Sequence, residues 1–309
     1  MAGTVGGWAQ VMAAQPFDTV KVRLQCQSRT NPTYTGTMDC VRKTAAEGLS
    51  TFYKGTVSPL IGVGFMVSIQ FGVLEAAKRA LVARHKAAGQ STELSVSEVA
   101  ACGSLAGMSA GTVSSPVEHV RIRMQLQGSG PSPPGATAGA AVSTPPGARA
   151  FSAAAGPAYN GSIDAFRQIF KTYGFRGLYQ GTSATMWREI IGYAGYFGAY
   201  EIVKRRFAAA QGEENLHVGH YLAAGSAAGF GMWIPAYPLD VIKSKMQADA
   251  LTGQRKYPNI WRSAQVILAE EGVAGLFRGM APCMARAAPA NGVTFVAYEL
   301  GMKWLNQFD

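Results

Sequence analysis

Residues 15–25 read QPFDTVKVRLQ, residues 115–125 read SPVEHVRIRMQ and residues 237–247 read YPLDVIKSKMQ. In each, an acid follows the proline by two residues and a base follows the acid by three. A second signature closes each block: EGLSTFYKG at 47–55, YGFRGLYQG at 173–181 and EGVAGLFRG at 271–279. Recurrence of this kind decides the architecture before any single residue does. The proline-to-glycine spacings are 39, 65 and 41 residues, so the second block carries about 25 more than the others. Residues 127–159, mostly Gly, Pro, Ala and Ser with almost no bulky apolar groups, absorb the excess. That composition cannot repay the entropy of ordering and predicts a disordered insertion. Three repeats are expected, at residues 1–90, 91–212 and 213–309.

Working outward, each repeat begins and ends with an apolar stretch studded with small residues. Six candidate spans result, at 2–25, 55–83, 95–126, 181–207, 217–248 and 279–306, each long enough for a bilayer core of about 30 Å. Gln10, Arg188, Glu189 and Arg286 would be expensive against lipid and are expected to face an aqueous interior. Gly103, Gly107 and Gly111, and Gly225 with Gly229, recur at four-residue spacing and predict close helix approach. Between the spans lie amphipathic segments such as IDAFRQIFKTYG from Ile163, suited to an interface.

Composition fits this reading. The chain has 28 Lys+Arg against 18 Asp+Glu, a net charge of +10, yet only 15% is charged and 48% is hydrophobic. A disordered basic tail is excluded. Cys26, Cys40, Cys102 and Cys283 form no CxxC pair, so neither a disulfide framework nor a metal site is readable. His85, His119, His217 and His220 are scattered, with His119 expected to pack inside a proline motif, and an enzyme is not expected. No phosphate loop, dinucleotide fingerprint or nucleic-acid module appears, so no cofactor and no nucleic-acid partner are implied. No cleavable signal peptide is visible.

Three copies of the proline–acid–base motif, each joined to an aromatic–basic–Gly signature, resemble the mitochondrial carrier family across nearly the whole chain. The resemblance implies an all-α protein of the mitochondrial inner membrane. It would have six transmembrane helices in three pseudo-threefold repeats, short matrix-side amphipathic helices, one central site and a monomeric state. Against that pattern helix 1 is short, since only fifteen residues precede Pro16. Within the family, Arg188-Glu189, Trp233 and RAAPANGVTFVAYE from Arg286 resemble the amino-acid and carnitine/acylcarnitine branch and its fungal relatives. Glutamate after the arginine resembles the basic-amino-acid members. The implied activity is exchange or import of an amino-acid-like solute, basic or zwitterionic, by alternating access, with a carnitine/acylcarnitine exchanger or a non-transporting, proton-leak protein as alternatives.

The resemblance assigns sites position by position. Asp18 with Arg121, Glu118 with Lys243 and Asp240 with Lys21 would form a matrix gate. The competing arrangement is a set of helix-surface ion pairs. The family's glutamine brace is absent, with Val22, Ile122 and Ser244 in its places, so a light gate is expected. On the opposite side Glu75 would meet Lys204 and Glu299 would meet Lys78, leaving Glu201 without its base because Met302 replaces it. Seven residues after Gly55, Gly181 and Gly279 come the contact positions Gly62, Arg188 and Arg286. A carboxylate and an ammonium on one substrate would be matched by an arginine and Glu189. Arg188 and Glu189 satisfying each other is the rival arrangement, against which stands their adjacency on a helix. Five residues before each proline stand Val11, Gly111 and Trp233, the indole suited to an aliphatic chain or an ammonium. Gly36, Gly55, Gly161, Gly181 and Gly279 match the family's cardiolipin motifs, in which helix N-termini receive phosphate. In the third repeat Tyr257-Pro258-Asn259 departs from that motif. Tyr173 and Gln180 depart from the acid and base of the closing signature.

Overall fold

The computed structural model describes residues 2–27, 32–127, 159–212, 218–251 and 255–286. Every element among them is helical. The chain runs α1 (Ala2–Cys26), α2 (Thr37–Ala46), a 3-10 turn (Leu49–Tyr53), α3 (Val57–Ala87), α4 (Val96–Leu126) and α5 (Ser162–Leu178). There follow α6 (Thr182–Gln211), α7 (Val218–Ala248), α8 (Ile260–Glu271), a second 3-10 turn (Val273–Phe277) and α9 (Met280–Ala285). Residues 128–158 of the expected insertion and 287–306 of the expected sixth span lie outside the described residues.

The helices continue through Pro16, Pro116, Pro235 and Pro238. α3, α4 and α7 have 31 residues each. At 1.5 Å per residue that is about 46 Å. Among the described residues no helix is long and apolar enough to cross a membrane. The cause is visible in α1, where Gln15, Asp18, Thr19, Lys21, Arg23 and Gln25 follow one another in a short run. All but Asp18 of these are buried in the protein.

The chain divides into two compact units. The first holds Met1–Gly64, Ser115–Gly181 and Val241–Asp309, the second Phe65–Ser114 and Thr182–Asp240. In the first unit two buried clusters match position for position. Val20, Leu24, Cys40 and Phe52 form one buried cluster with Tyr34 against it. Val120, Met124, Ala165 and Leu178, joined by Tyr159 and Ile169, form its counterpart. Burying a side chain such as Ile169 or Leu178 stabilises by roughly 1.5–3 kcal/mol. The short helices turn one stripe inward at four-residue spacing: Cys40 and Thr44, Ala165 and Ile169, Ser263, Ile267 and Glu271.

The closing signatures end on glycine because the backbone requires it. Gly55, Gly181 and Gly279 have φ of 81°, 80° and 83°, a left-handed conformation open to glycine at little strain. It turns the chain from each short helical segment into α3, α6 and α9. The turns thus share a backbone although Lys54, Gln180 and Arg278 differ before them.

The second unit is built on glycine contacts. A Cβ on Gly107 would lie 2.5 Å from Tyr193 Cδ2 and 2.9 Å from the Glu189 carbonyl oxygen. One on Gly103 would run into Phe197. α4 and α6 therefore touch backbone to side chain along this stripe. Gly225 and Gly229, expected to serve likewise, have nothing within 4 Å of an added Cβ. The close approach in that region is made by Gly195 and Gly231 instead, whose carbonyls occupy each other's Cβ space.

Candidate functional site

In the first unit, ionic groups from different repeats meet. Arg121 Nη2 donates to Asp18 Oδ2 at 2.8 Å and to Gln15 Oε1 at 2.6 Å. Lys243 Nζ donates to Glu118 Oε2. Gln15, fully buried, in turn donates Nε2 to the Lys54 carbonyl at 3.1 Å. A glutamine does brace the Asp18 pair, but it comes from the residue before Pro16 and not from the one after the base. Ser244, in one of the expected brace places, donates Oγ to Gln25 Oε1 at 2.8 Å. Asp18 Oδ1 also stands 3.5 Å from Arg286 Nη1. Lys21 belongs to the first unit and Asp240 to the second.

In the second unit, Arg188 and Glu189 are both buried on α6 and joined, Nη2 donating to Oε1. The expectation that adjacent helical residues stay apart is overturned. Their ion-bearing ends lie several bonds from the backbone, and burial favours ions that neutralise each other. Arg188 Nε lies 3.8 Å from Asp240 Oδ1, an ionic contact outside hydrogen-bond range. Gly111 presses on this pair, since its Cβ would stand 2.9 Å from Glu189 Cγ. Trp233 is half-buried, its ring centroid 6.5 Å from that of Tyr237. Gly62 falls within α3, and its surroundings lie outside the described residues.

Sequence reasoning passed over a further set of bases, seven residues after each proline. Arg23 forks onto Glu47, with Nη1 at 2.9 Å and Nη2 at 2.8 Å, and donates Nε to the Gln125 carbonyl at 3.3 Å. Lys245 donates to Glu271, whose other oxygen lies 3.1 Å from Arg278 Nη1. Arg123, in the repeat where Tyr173 replaces the acid, donates Nε to His119 Nε2 at 2.7 Å and Nη2 to the Asp249 carbonyl at 2.7 Å. The signal was present as the base recurring at the seventh position and the acid before the first glycine of the closing signature. Gln180, in place of a base, donates Nε2 to the carbonyls of Met246 and Asp249, at 2.7 and 3.2 Å.

Of the charges expected on the opposite side, Glu75, Lys78 and Glu201 have contacts within their own helices. Lys78 Nζ lies 3.8 Å from Glu75 Oε1. Glu201, left without a base by the sequence reading, accepts from Arg205 Nε at 2.7 Å. Helical neighbours three or four apart face one another without help from a second helix. Lys204 lies in the same α6 stretch, and Glu299 falls outside the described residues.

Gly36 and Gly161 cap α2 and α5 without any side-chain hydrogen bond. In α8 the cap is Asn259, whose Oδ1 accepts from the Arg262 amide at 2.8 Å, so the departing repeat satisfies one helix donor by itself. Asp39 Oδ2 accepts from the Thr35 amide at 2.9 Å, which with Lys43 holds its carboxyl below the ordinary value of 3.8. Burial pushes the Cys40 thiol up to about 11. A cavity of about 490 Å³ lies between the N-terminus of α2, at Tyr34, Gly36 and Thr37, and the turn at Arg278 and Gly279.

Ion pairs thus link α1 to α4 and α4 to α7 in the first unit, and a buried arginine–glutamate pair sits on α6 in the second. The family model for the mitochondrial carrier protein matches residues 1–85, 92–211 and 214–309. The chain is 39% identical over 303 residues to the glutamate/glycine mitochondrial carrier ymc1 of Schizosaccharomyces pombe, covering 97% of this chain and 91% of that protein. It is 36% identical over 305 residues to the mitochondrial carnitine/acylcarnitine carrier-like protein of Arabidopsis thaliana, covering 97% and 95%. Against the mitochondrial basic amino acids transporter of Rattus norvegicus it is 33% identical over 310 residues, covering 99% and 89%. The chain belongs to the mitochondrial carrier protein family.

Proposed function

We propose that this multi-pass protein of the mitochondrial inner membrane carries an amino-acid-like solute, basic or zwitterionic, by alternating access. The observation that carries the reading is the buried Arg188–Glu189 pair. An amino acid brings a carboxylate for Arg188 and an ammonium for Glu189. One ion pair is exchanged for two charge-assisted ones, and the protein's own ions are already desolvated before the solute arrives. Gly62, Arg286 and Trp233 complete the proposed contact positions. Relatives named for glutamate and glycine and for basic amino acids support this substrate class. A carnitine/acylcarnitine exchanger is the second reading, favoured by the plant relative.

Six spans in three repeats, at 1–90, 91–212 and 213–309, would enclose the path. Asp18, Lys21, Glu118, Arg121, Asp240 and Lys243 are the proposed matrix gate, and Glu75, Lys78, Glu201, Lys204 and Glu299 the cytoplasmic one. Each closed pair must stay modest in net worth, because desolvation offsets most of the attraction between buried charges. The looser contacts of Asp240 with Arg188 and of Asp18 with Arg286, at 3.8 and 3.5 Å, put gate acids within ionic reach of contact arginines. Solute bound to an arginine weakens its hold on the gate acid. Cardiolipin phosphate is the proposed ligand of the glycine-capped N-termini at Gly36 and Gly161, together with the turns at Gly55, Gly181 and Gly279.

The test is uptake into liposomes by the purified protein, against a panel of glycine, glutamate, lysine, arginine, ornithine and carnitine. Wild type is expected to move an amino acid, and Glu189→Gln to lose at least tenfold in rate. Uptake unchanged by Glu189→Gln overturns the reading, and uptake of carnitine alone selects the second.

A further inference from the structure

Two jobs recur beside the gate in the first repeat, each with its own residue. Thr19, which follows the gate acid, donates Oγ1 to the Phe52 carbonyl at 2.8 Å. Arg23, four residues on, is held by Glu47 at 2.8 Å. Phe52 stands three residues before the left-handed Gly55, so the first bond fixes α1 to the turn that opens α3. In the third repeat Val241 takes the place of Thr19 and has no side-chain donor, while Lys245 keeps its acid, Glu271.

In the second repeat the acid is gone, because Tyr173 stands where Glu47 and Glu271 stand. There the residue after the gate acid is His119, fully buried. Its Nδ1 lies 3.2 Å from the Leu178 carbonyl, the counterpart of Phe52, and its Nε2 lies 2.7 Å from Arg123 Nε. A guanidinium only donates. Nε2 is therefore the acceptor, the ring is neutral, and its proton sits on Nδ1, where it donates to Leu178. His119 and Arg123 are four apart on α4 and share a face.

We infer that His119 is the positioning residue of the second repeat's gate, doing alone what Thr19 and Glu47 do together in the first. Its donor side fixes α4 to the turn before α6, and its acceptor side replaces the missing carboxylate on Arg123. The adjacent Glu118, which meets Lys243, is thereby held in register. A glutamine amide, like the imidazole, carries its donor and its acceptor on two separate atoms and can serve both partners. Threonine would keep the first bond and lose the second.

The experiment rebuilds the first repeat's arrangement in the second. His119→Thr is expected to lower the melting midpoint of the purified protein by about 5 °C, since the buried Arg123 loses the acceptor of its Nε while Nη2 keeps the Asp249 carbonyl. Adding Tyr173→Glu is expected to bring it back to within about 2 °C of wild type, and His119→Gln to stay near wild type. In liposomes, where the inference rests on the transport reading, His119→Thr lowers the maximal rate about fivefold and leaves KM within twofold. A wild-type melting midpoint in His119→Thr, a failure of both Tyr173→Glu and His119→Gln to rescue, or a rise in KM in place of the fall in rate overturns the inference. The melting cycle needs no solute, so a wild-type protein that moves no amino acid counts against the proposed substrate and leaves this cycle to decide.

Discussion

The two units hold themselves together by different physics. In the first, side chains reach across the chain to partners far away in sequence, as Arg23 does to Gln125, Arg121 to Asp18 and Gln180 to Met246. In the second, helices meet where side chains are missing, at Gly103, Gly107 and Gly111 on α4 and at Gly195 and Gly231 between α6 and α7. A satisfied polar network specifies one arrangement and is costly to break in part. A glycine seam depends chiefly on the absence of atoms, even where Ser104 Oγ also donates to the Ile190 carbonyl at 3.1 Å. The first unit should therefore fail by losing a partner and the second by gaining a methyl group.

The largest effect is expected from Lys245→Met. Lys245 and Glu271 are each 2% exposed at the side chain, and breaking such a pair leaves a buried carboxylate at a cost of about 3 kcal/mol, the low end of the usual range because Arg278 remains. Thermal unfolding of the purified protein measures it, and a change below about 1 kcal/mol would show the first unit is not held as described. Next comes Gly195→Val, whose Cβ meets the Gly231 carbonyl. A loss of about 1–3 kcal/mol is expected there. Gly225→Ala is the control for the same assay. With nothing within 4 Å of the new methyl, it should be neutral or stabilising by up to about 1 kcal/mol.

Smaller still is Glu201→Gln, which removes the contact with Arg205, a side chain 45% exposed. Solvent screening limits the change to about 0.5 kcal/mol, and a loss like that of Lys245→Met would mean Glu201 has a stronger tie. The smallest effect concerns Asp39. Its folded value is lowered, so its contribution is full above 3.8 and fades as pH falls through the folded value. A carbon-13 titration of that carboxyl should find its midpoint below 3.8; a midpoint above it would remove the link to Thr35 and Lys43.

The contacts of Asp18 with Arg121 and of Glu118 with Lys243 were expected from the family resemblance, whose motif recurs in register at all three prolines of this sequence. The brace from Gln15 was not legible. It depends on which side of α1 faces Lys54, and that is settled by packing. The same holds for Arg188 and Glu189, whose backbone positions diverge while their long side chains converge. Glu75 was expected to meet Lys204 and Glu201 to lack a base, whereas Glu75 lies 3.8 Å from Lys78 and Glu201 accepts from Arg205, each on its own helix, a local geometry available without any fold.

By itself the sequence determined the threefold recurrence, the glycines that the left-handed turns demand and the helical stretches among the described residues. These depend on short-range sterics and on periodicity carried within a few dozen residues. Only the tertiary structure decided that His119 faces both Leu178 and Arg123, that Gly195 and not Gly225 makes the close crossing, and that Gln15 stands beside Arg121. Each of those depends on which atoms of distant segments come within a few ångströms, and a side chain's partner is chosen there by reach, burial and the donors left over.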